Sequence, residues 1–209
     1  MWWNELDLTK EKIVELSKQT NSSRYLLNDS LVSKGVIIDE KDGPVLIDKD
    51  AIICENVVIK GPVFIGKHSL IGNNAFIRGS TYIGDNTRIG FCTEIKNSII
   101  DAEVTIGPQC FVADSKIESN VYMGAQVRTS NHRLDKTTIK VCIAGQWYET
   151  GKEKLGCHIQ KNTALGVQVV ILPGRIIEEN SMFGPKILIE KNFPAGKYLL
   201  KQQISKLEG

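Results

Sequence analysis

The stretch VLIDKDAIICENVVIKGPVFIGKHSLIGNNAFIRGSTYIGDNTRIGFCTEI (45–95) places isoleucine at 47, 53, 59, 65, 71, 77, 83, 89 and 95. The residue two places before each is small or β-branched: Val45, Ala51, Val57, Val63, Ser69, Ala75, Thr81, Thr87 and Thr93. A beat of six fits neither the 3.6-residue period of a helix nor the sustained alternation of a long strand. It fits short strands with inward residues two apart and a bend every six residues. Outward from this stretch, the beat slips once to Ile100 and continues through Ile106 and Val112. It slips again to Ile117, runs on to Met123 and Thr129, and after a gap returns at Ile159, Leu165, Ile171, Ile177 and Phe183.

This is the hexapeptide repeat of a β-helix. It resembles the left-handed parallel β-helix, a triangular prism with three hexapeptides per coil. The predicted fold is therefore an all-β solenoid, a left-handed parallel β-helix with short helical N- and C-terminal caps and one long inserted loop. The expected domains are a helical N-terminal cap over 1–35, the β-helix over 36–190 with an inserted loop at 130–156, and a helical C-terminal tail over 191–209. Residues 5–19 read as an amphipathic helix with Ile13 and Leu16 on its apolar side, and 194–207 as a second short one. Both are expected to cover open ends of the solenoid, which need polar capping units; this reading is preferred to a membrane role for Trp2-Trp3.

Composition narrows the function classes. The 209 residues carry a net charge of +2, too balanced for an electrostatic nucleic-acid binder. No apolar run reaches the roughly 20 residues of a membrane span, and the start MWWNE (1–5) lacks the pattern of a signal peptide. Cys54, Cys92, Cys110, Cys142 and Cys157 are widely spaced with no Cys-x-x-Cys pair, as expected of reduced thiols in a cytoplasmic protein.

A prism also predicts a site. Residues 18 apart stack along one edge at the strand spacing of about 4.8 Å. One edge then carries Asp48, Gly66 and Gly84, a second Cys54, Gly72 and Gly90, and the third Lys60, Arg78 and Lys96. Three stacked cations favour a bound anion or a counter-charge, although long side chains fanning into solvent would be screened. Counted through both slips, Val112 and Thr129 share the face of Ile59, Ile77 and Ile95, so the chain leaves the prism from the basic edge, at Ser130-Asn131-His132. An excursion of 27 residues in so regular a solenoid points to function. His132 is its one histidine and a candidate general base.

The segments FIRG (76–79), TEIKNSII (93–100), DSKIESNVYMGA (114–125), TSN (129–131), ETGKEKLG (149–156) and ILPG (171–174) resemble the C-terminal acetyltransferase domain of bifunctional glucosamine-1-phosphate acetyltransferase/N-acetylglucosamine-1-phosphate uridylyltransferases and related sugar-phosphate nucleotidyltransferases. The resemblance covers about half the chain. It implies an acyl-coenzyme A-dependent N- or O-acyltransferase, using acetyl-coenzyme A and no metal, that acts on a sugar phosphate or nucleotide sugar and assembles as a homotrimer. Arg78 and Lys96, with Lys60 on the same edge, would grip the sugar phosphate and Asn131 the sugar. Ala125, Gly166 and Gly184 would admit the coenzyme. With about 45 residues ahead of the repeats, no nucleotidyltransferase activity is expected. Pro108 stands where the family has its catalytic histidine, Phe111 where it has a tyrosine and Tyr122 where it has an asparagine. His132 is then the candidate catalytic base, as in acetyltransferases whose base projects on a loop. A non-catalytic sugar-phosphate- or nucleotide-binding paralogue is the rival. A zinc enzyme of the carbonic-anhydrase type would need three convergent histidines, which the spacing of His68, His132 and His158 does not build.

Overall fold

The computed structural model describes residues 1–19 and 32–203. Its body is a left-handed parallel β-helix of about nine turns with one N-terminal helix. Short strands stack into three parallel sheets. Face 1 includes Val58–Lys60, Phe76–Arg78, Glu94–Lys96, Phe111–Ala113, Arg128–Thr129 and Val170–Ile171. Face 2 includes Val63–Ile65, Thr81–Ile83, Ile99–Ile100, Lys116–Ile117, His158–Ile159 and Ile176–Ile177. Face 3 includes Leu70–Ile71, Arg88–Ile89, Thr105–Ile106, Tyr122–Met123, Ala164–Leu165 and Met182–Phe183.

The register follows the isoleucine beat. Ile59 pairs with Ile77, Ile77 with Ile95, and Ile95 with Val112. From Ile53 to Ile100 each inward isoleucine of the beat is 0% exposed, and each such side chain contributes about 1.5–3 kcal/mol of burial. The corners after faces 2 and 3 turn on a left-handed residue three places after the inward one, as at Asn56, Asn74, Asn86 and Asn162. Asparagine tolerates that conformation better than most residues.

The N-terminal helix, α1 (Trp2–Gln19), lies along the flank of the prism and not over its end, as the capping reading expected. Ile13 packs on Leu46 and Phe64 of face 2, with Leu16 and Tyr82 beside them. Trp2, Trp3 and Leu6 pack on Ile99 and Ile176 of the same face and on Ile139, Val141 and Leu155 of the inserted segment. At 1.5 Å per residue, the 18 residues of α1 span about 27 Å, enough to cross five or six coils. Ion pairs Lys116–Glu5 (2.6 Å) and Lys152–Asp7 (2.5 Å) fix its rim. Both tryptophans are buried in this contact. Residues 20–31 of the expected cap lie outside the described residues.

Two further expectations change. The inserted loop folds into an antiparallel hairpin, Lys140–Ile143 with Gln146–Glu149. The tail is not helical over 191–203: Lys197–Tyr198 pairs with Met182–Phe183 and extends face 3. Tyr198 stacks on Phe183 at 4.8 Å with Phe193 beside both, so aromatic rings close this end of the core. Residues 204–209 of the expected tail helix lie outside the described residues.

Candidate functional site

The corner between faces 1 and 2 concentrates the irregularities of the solenoid. Both one-residue slips of the beat fall there, at Ile95→Ile100 and Val112→Ile117, and so does the departure of the inserted segment after Thr129. Shortening the corner by one residue leaves Asn97 (φ 48°) and Asp114 (φ 50°) in the left-handed region. The coil is then 17 residues long, so Asn97, Asp114 and Asn131 form one column.

That column is the centre of a polar cluster. The Asp114 side chain is 5% exposed. Its carboxylate accepts from Lys96 Nζ (3.0 Å), Asn97 Nδ2 (2.7 Å) and Asn131 Nδ2 (2.5 Å). One coil back, Arg78 Nε donates to Glu94 Oε1 at 2.8 Å. The Phe76 ring lies under Arg78 (5.5 Å) and Lys60 (5.9 Å). Lys60, Arg78 and Lys96 are paired in register along the edge. The edge is not a bare cationic stack, however, because Glu94 and Asp114 supply internal counter-charges. Three cations and two carboxylates leave one positive charge in excess.

Sequence reading found Arg78, Lys96 and Asn131 but missed Asn97, Glu94 and Asp114. The 17-residue recurrence 97–114–131 was the signal available for the column.

His132 is exposed, yet its backbone is fixed. Asn131 O accepts from Leu155 N (2.9 Å), and His132 forms an antiparallel bridge with Lys154. The returning strand is stitched to the same corner by Gly156 N to Asp114 O (2.8 Å) and Cys157 N to Ser115 Oγ (3.0 Å). A Cβ at Gly156 would lie 2.1 Å from Ala113 O, so no larger residue fits there. Exit and return of the excursion are thus zipped together beside Asp114. The imidazole of His132 rides on this anchored segment next to Asn131.

The residues expected to admit the coenzyme sit on another corner, between faces 3 and 1. Pairing of Met123, Leu165 and Phe183 stacks Gly124, Gly166 and Gly184, and puts Ala125 one place along, in line with Val167 and Pro185. Ala125 therefore does not share the glycine column. A Cβ on Gly166 would lie 2.6 Å from Pro185 N and 2.7 Å from Gly184 C. Coil stacking alone requires glycine there, so its small size is not in itself a ligand signal. Pro108 shares the corner position of Ala125, one coil earlier, in line with exposed Phe91 of the coil before.

The other two histidines belong to other environments. His68 faces Asp50 at 3.9 Å. His158 is buried beneath Trp2 (ring centroids 5.6 Å) and meets Glu118 Oε1 at 2.7 Å. Burial lowers the His158 pKa, against the raising effect of Glu118. Among the described residues no three His, Cys, Asp or Glu side chains are grouped so that they could hold a metal. All five cysteines are free; burial pushes the Cys157 thiol up to about 12 and Cys110 to about 11. No helix among the described residues is long and apolar enough to cross a membrane.

A model of the family described as the GMPPB C-terminal domain matches residues 32–133 and 59–199. A protein of Escherichia coli O6:K15:H31 (strain 536 / UPEC), "Uncharacterized acetyltransferase YaiX", is 47% identical over 203 residues, spanning 97% of this chain and 88% of that one. The chain belongs to the hexapeptide-repeat acyltransferase superfamily, within the GMPPB C-terminal domain family. This acyltransferase-family chain also matches the bifunctional protein GlmU of Methanococcus maripaludis (strain C7 / ATCC BAA-1331), 36% identical over 110 residues. That match covers 53% of the chain and 26% of GlmU. The UDP-N-acetylglucosamine acyltransferase from Campylobacter jejuni shares the fold at a TM-score of 0.51 and 12% identity, over 77% of this chain and 68% of that one.

Proposed function

We propose that the protein transfers an acyl group, acetyl from acetyl-coenzyme A, to an amine or hydroxyl of a sugar phosphate or nucleotide sugar held at the corner of Arg78, Lys96, Asp114 and Asn131. The observation that carries this reading is the column Asn97–Asp114–Asn131, with Lys96 bound to it and His132 on the zipped segment beside it. Acyltransferase activity is supported by the acetyltransferase relative that matches nearly the full chain. A sugar-derived acceptor is supported by a match, 31% identical over 50% of this chain and 26% of that one, to a bifunctional sugar-1-phosphate nucleotidylyltransferase/acetyltransferase of Sulfurisphaera tokodaii.

In this mechanism Arg78, Lys96 and Lys60 bind the acceptor through the surplus positive charge, and Asn131 orients its sugar. The His132 imidazole takes the proton from the acceptor N–H or O–H as that atom attacks the thioester carbonyl. Ala125, Gly166 and Gly184 lie on a different corner from His132, so in this reading the coenzyme they admit reaches His132 from a neighbouring subunit of the homotrimer, where backbone N–H groups not used between coils stabilise the tetrahedral oxyanion. Collapse expels the coenzyme thiolate, which receives the proton from the imidazolium. The product is the acylated sugar and the free thiol. Exposed Phe91, Tyr122, Val167 and Met182 supply an apolar surface for the homotrimer, which light scattering would measure.

The test is a thiol-release assay with acetyl-coenzyme A against a panel of amino-sugar phosphates and nucleotide sugars. His132→Ala should lower the rate at least ~100-fold; an unchanged rate removes the assignment. A second reading, a sugar-phosphate- or nucleotide-binding protein without catalysis, is favoured by Pro108 at the place of the family histidine. Calorimetry separates the two, because that reading requires acceptor binding with no coenzyme binding.

A further inference from the structure

A cavity of about 460 Å³ opens between the inserted segment and the coil that follows its return. Arg133, Lys140 and Arg175 line it together with Thr138, Trp147 and Pro173, and no carboxylate belongs to its wall. Two of the cations have partners: Arg133 pairs with Asp135 and Lys140 with Glu149, each at 2.5 Å. Arg175 differs. Its Nε donates to Pro173 O at 3.1 Å, and among the described residues no carboxylate lies within ion-pair distance of it. Burial and the neighbouring Arg133 both work against its charge, yet a guanidinium stays protonated. A half-buried cation in that position gains from a bound anion with oxygens in a plane, for which its fork is suited. Its guanidinium lies over the Trp147 indole, 5.8 Å from the ring centroid, and Trp147 is 57% exposed at the hairpin. An exposed indole next to free guanidinium nitrogens suits a flat base carried on phosphate.

Position adds the rest. Arg175 belongs to the same corner as the Asp114 column. Thr129 pairs with Ile171, which puts the Pro173–Arg175 turn one coil beyond Asn131 and two beyond Asp114, about 10 Å by strand spacing. That is on the order of the length of a diphosphate with its ribose. Along this corner Arg78 and Lys96 are already neutralised by Glu94 and Asp114, whereas Arg175 is not.

We propose that this cavity is a nucleoside-diphosphate site, with the base on Trp147 and the phosphates on Arg175, so that the acceptor is a nucleotide sugar whose sugar reaches the Asn131–Asp114 column. The site is inferred from the cavity itself; only the identity of the ligand as acceptor rests on the acyltransferase reading.

The test is titration of UDP, GDP and dTDP into the full chain, read by calorimetry and by tryptophan fluorescence, with inorganic pyrophosphate and adenosine 3′,5′-bisphosphate as further probes. One nucleoside diphosphate should bind and quench fluorescence, and Trp147→Phe should abolish the quench. Arg175→Gln should weaken binding at least about tenfold, with its thermal midpoint confirming a folded chain. Trp147 is exposed, so its variant gives a readout that does not depend on the fold tolerating a change at Arg175. Four results overturn the proposal: no nucleoside diphosphate binds at millimolar concentration; Arg175→Gln binds as the parent does; pyrophosphate binds as tightly as the nucleotide; or adenosine 3′,5′-bisphosphate alone quenches Trp147, which assigns the cavity to the coenzyme. Nucleotide binding without thiol release would keep this site and remove the acyltransferase reading. Thiol release with a simple sugar phosphate and no nucleotide binding would do the reverse.

Discussion

Replacing Asp114 by asparagine isolates what its charge does for the corner. Asparagine tolerates the φ of 50° that Asp114 adopts, so the backbone is not the variable. The carboxylate serves Lys96 and the amides of Asn97 and Asn131. An asparagine side chain can accept from one of those amides while presenting its own NH2 to another donor. Lys96, whose side chain is 20% exposed, loses its counter-charge. Removing one partner of a fully buried pair costs about 3–5 kcal/mol. The water that still reaches Lys96 reduces this to about 2–3 kcal/mol. Lys96→Met leaves the carboxylate with two amide donors and should cost about 1–2 kcal/mol. The double variant removes the ion pair only once, so its loss should fall short of the sum by about 1–2 kcal/mol. Urea unfolding followed by far-UV circular dichroism measures this. With a slope of about 2–3 kcal/mol per molar, Asp114→Asn should lower the midpoint by about 1 M. A midpoint unmoved by Asp114→Asn, or strictly additive losses, would refute the view that this carboxylate holds the corner together.

Gly166→Ala should destabilise the chain by about 1–3 kcal/mol, because its Cβ meets backbone of the next coil at 2.6 Å; an unchanged melting temperature would contradict this. The folded-state pKa of His158 lies below its unfolded value, so the unfolded chain binds its proton first as pH falls. Its contribution is therefore present above about pH 6.5 and is lost below it. Glu118, Lys116 and Glu5 are the charged groups around it. His158→Gln should flatten stability against pH in that window, measured by urea midpoints from pH 7.5 to 5. Trp3→Ala should cost about 3–5 kcal/mol. The loss should appear as early release of α1 in hydrogen exchange while the coils around Ile77 and Ile95 keep their protection.

The prism, the three-face assignment and the register were legible because each coil repeats one local rule: an inward β-branched residue every sixth position, stacked on its copy in the next coil. Such a period survives the two slips, since the beat resumes on the same faces. The same arithmetic aligned Lys60, Arg78 and Lys96 and sent the excursion out beside them. It did not disclose their counter-charges, because Glu94 and Asp114 differ from their coil neighbours in chemistry and not in spacing.

The route of α1 was written less plainly. The outward residues of face 2, Leu46, Phe64, Tyr82 and Ile99, are apolar in four successive coils, an unbroken stripe that marks a docked element. The sequence by itself thus determined the solenoid, its faces and the edge that carries the candidate site, since periodicity is a property of neighbouring residues. Only the tertiary structure decided that α1 lies along the flank, that the excursion is a hairpin packed beneath it, and that Asp114, Lys96 and Asn131 share one set of hydrogen bonds. Those contacts join distant segments, such as Asp7 and Lys152, 145 positions apart along the chain. They follow from the complementarity of surfaces that exist only once the coils have stacked.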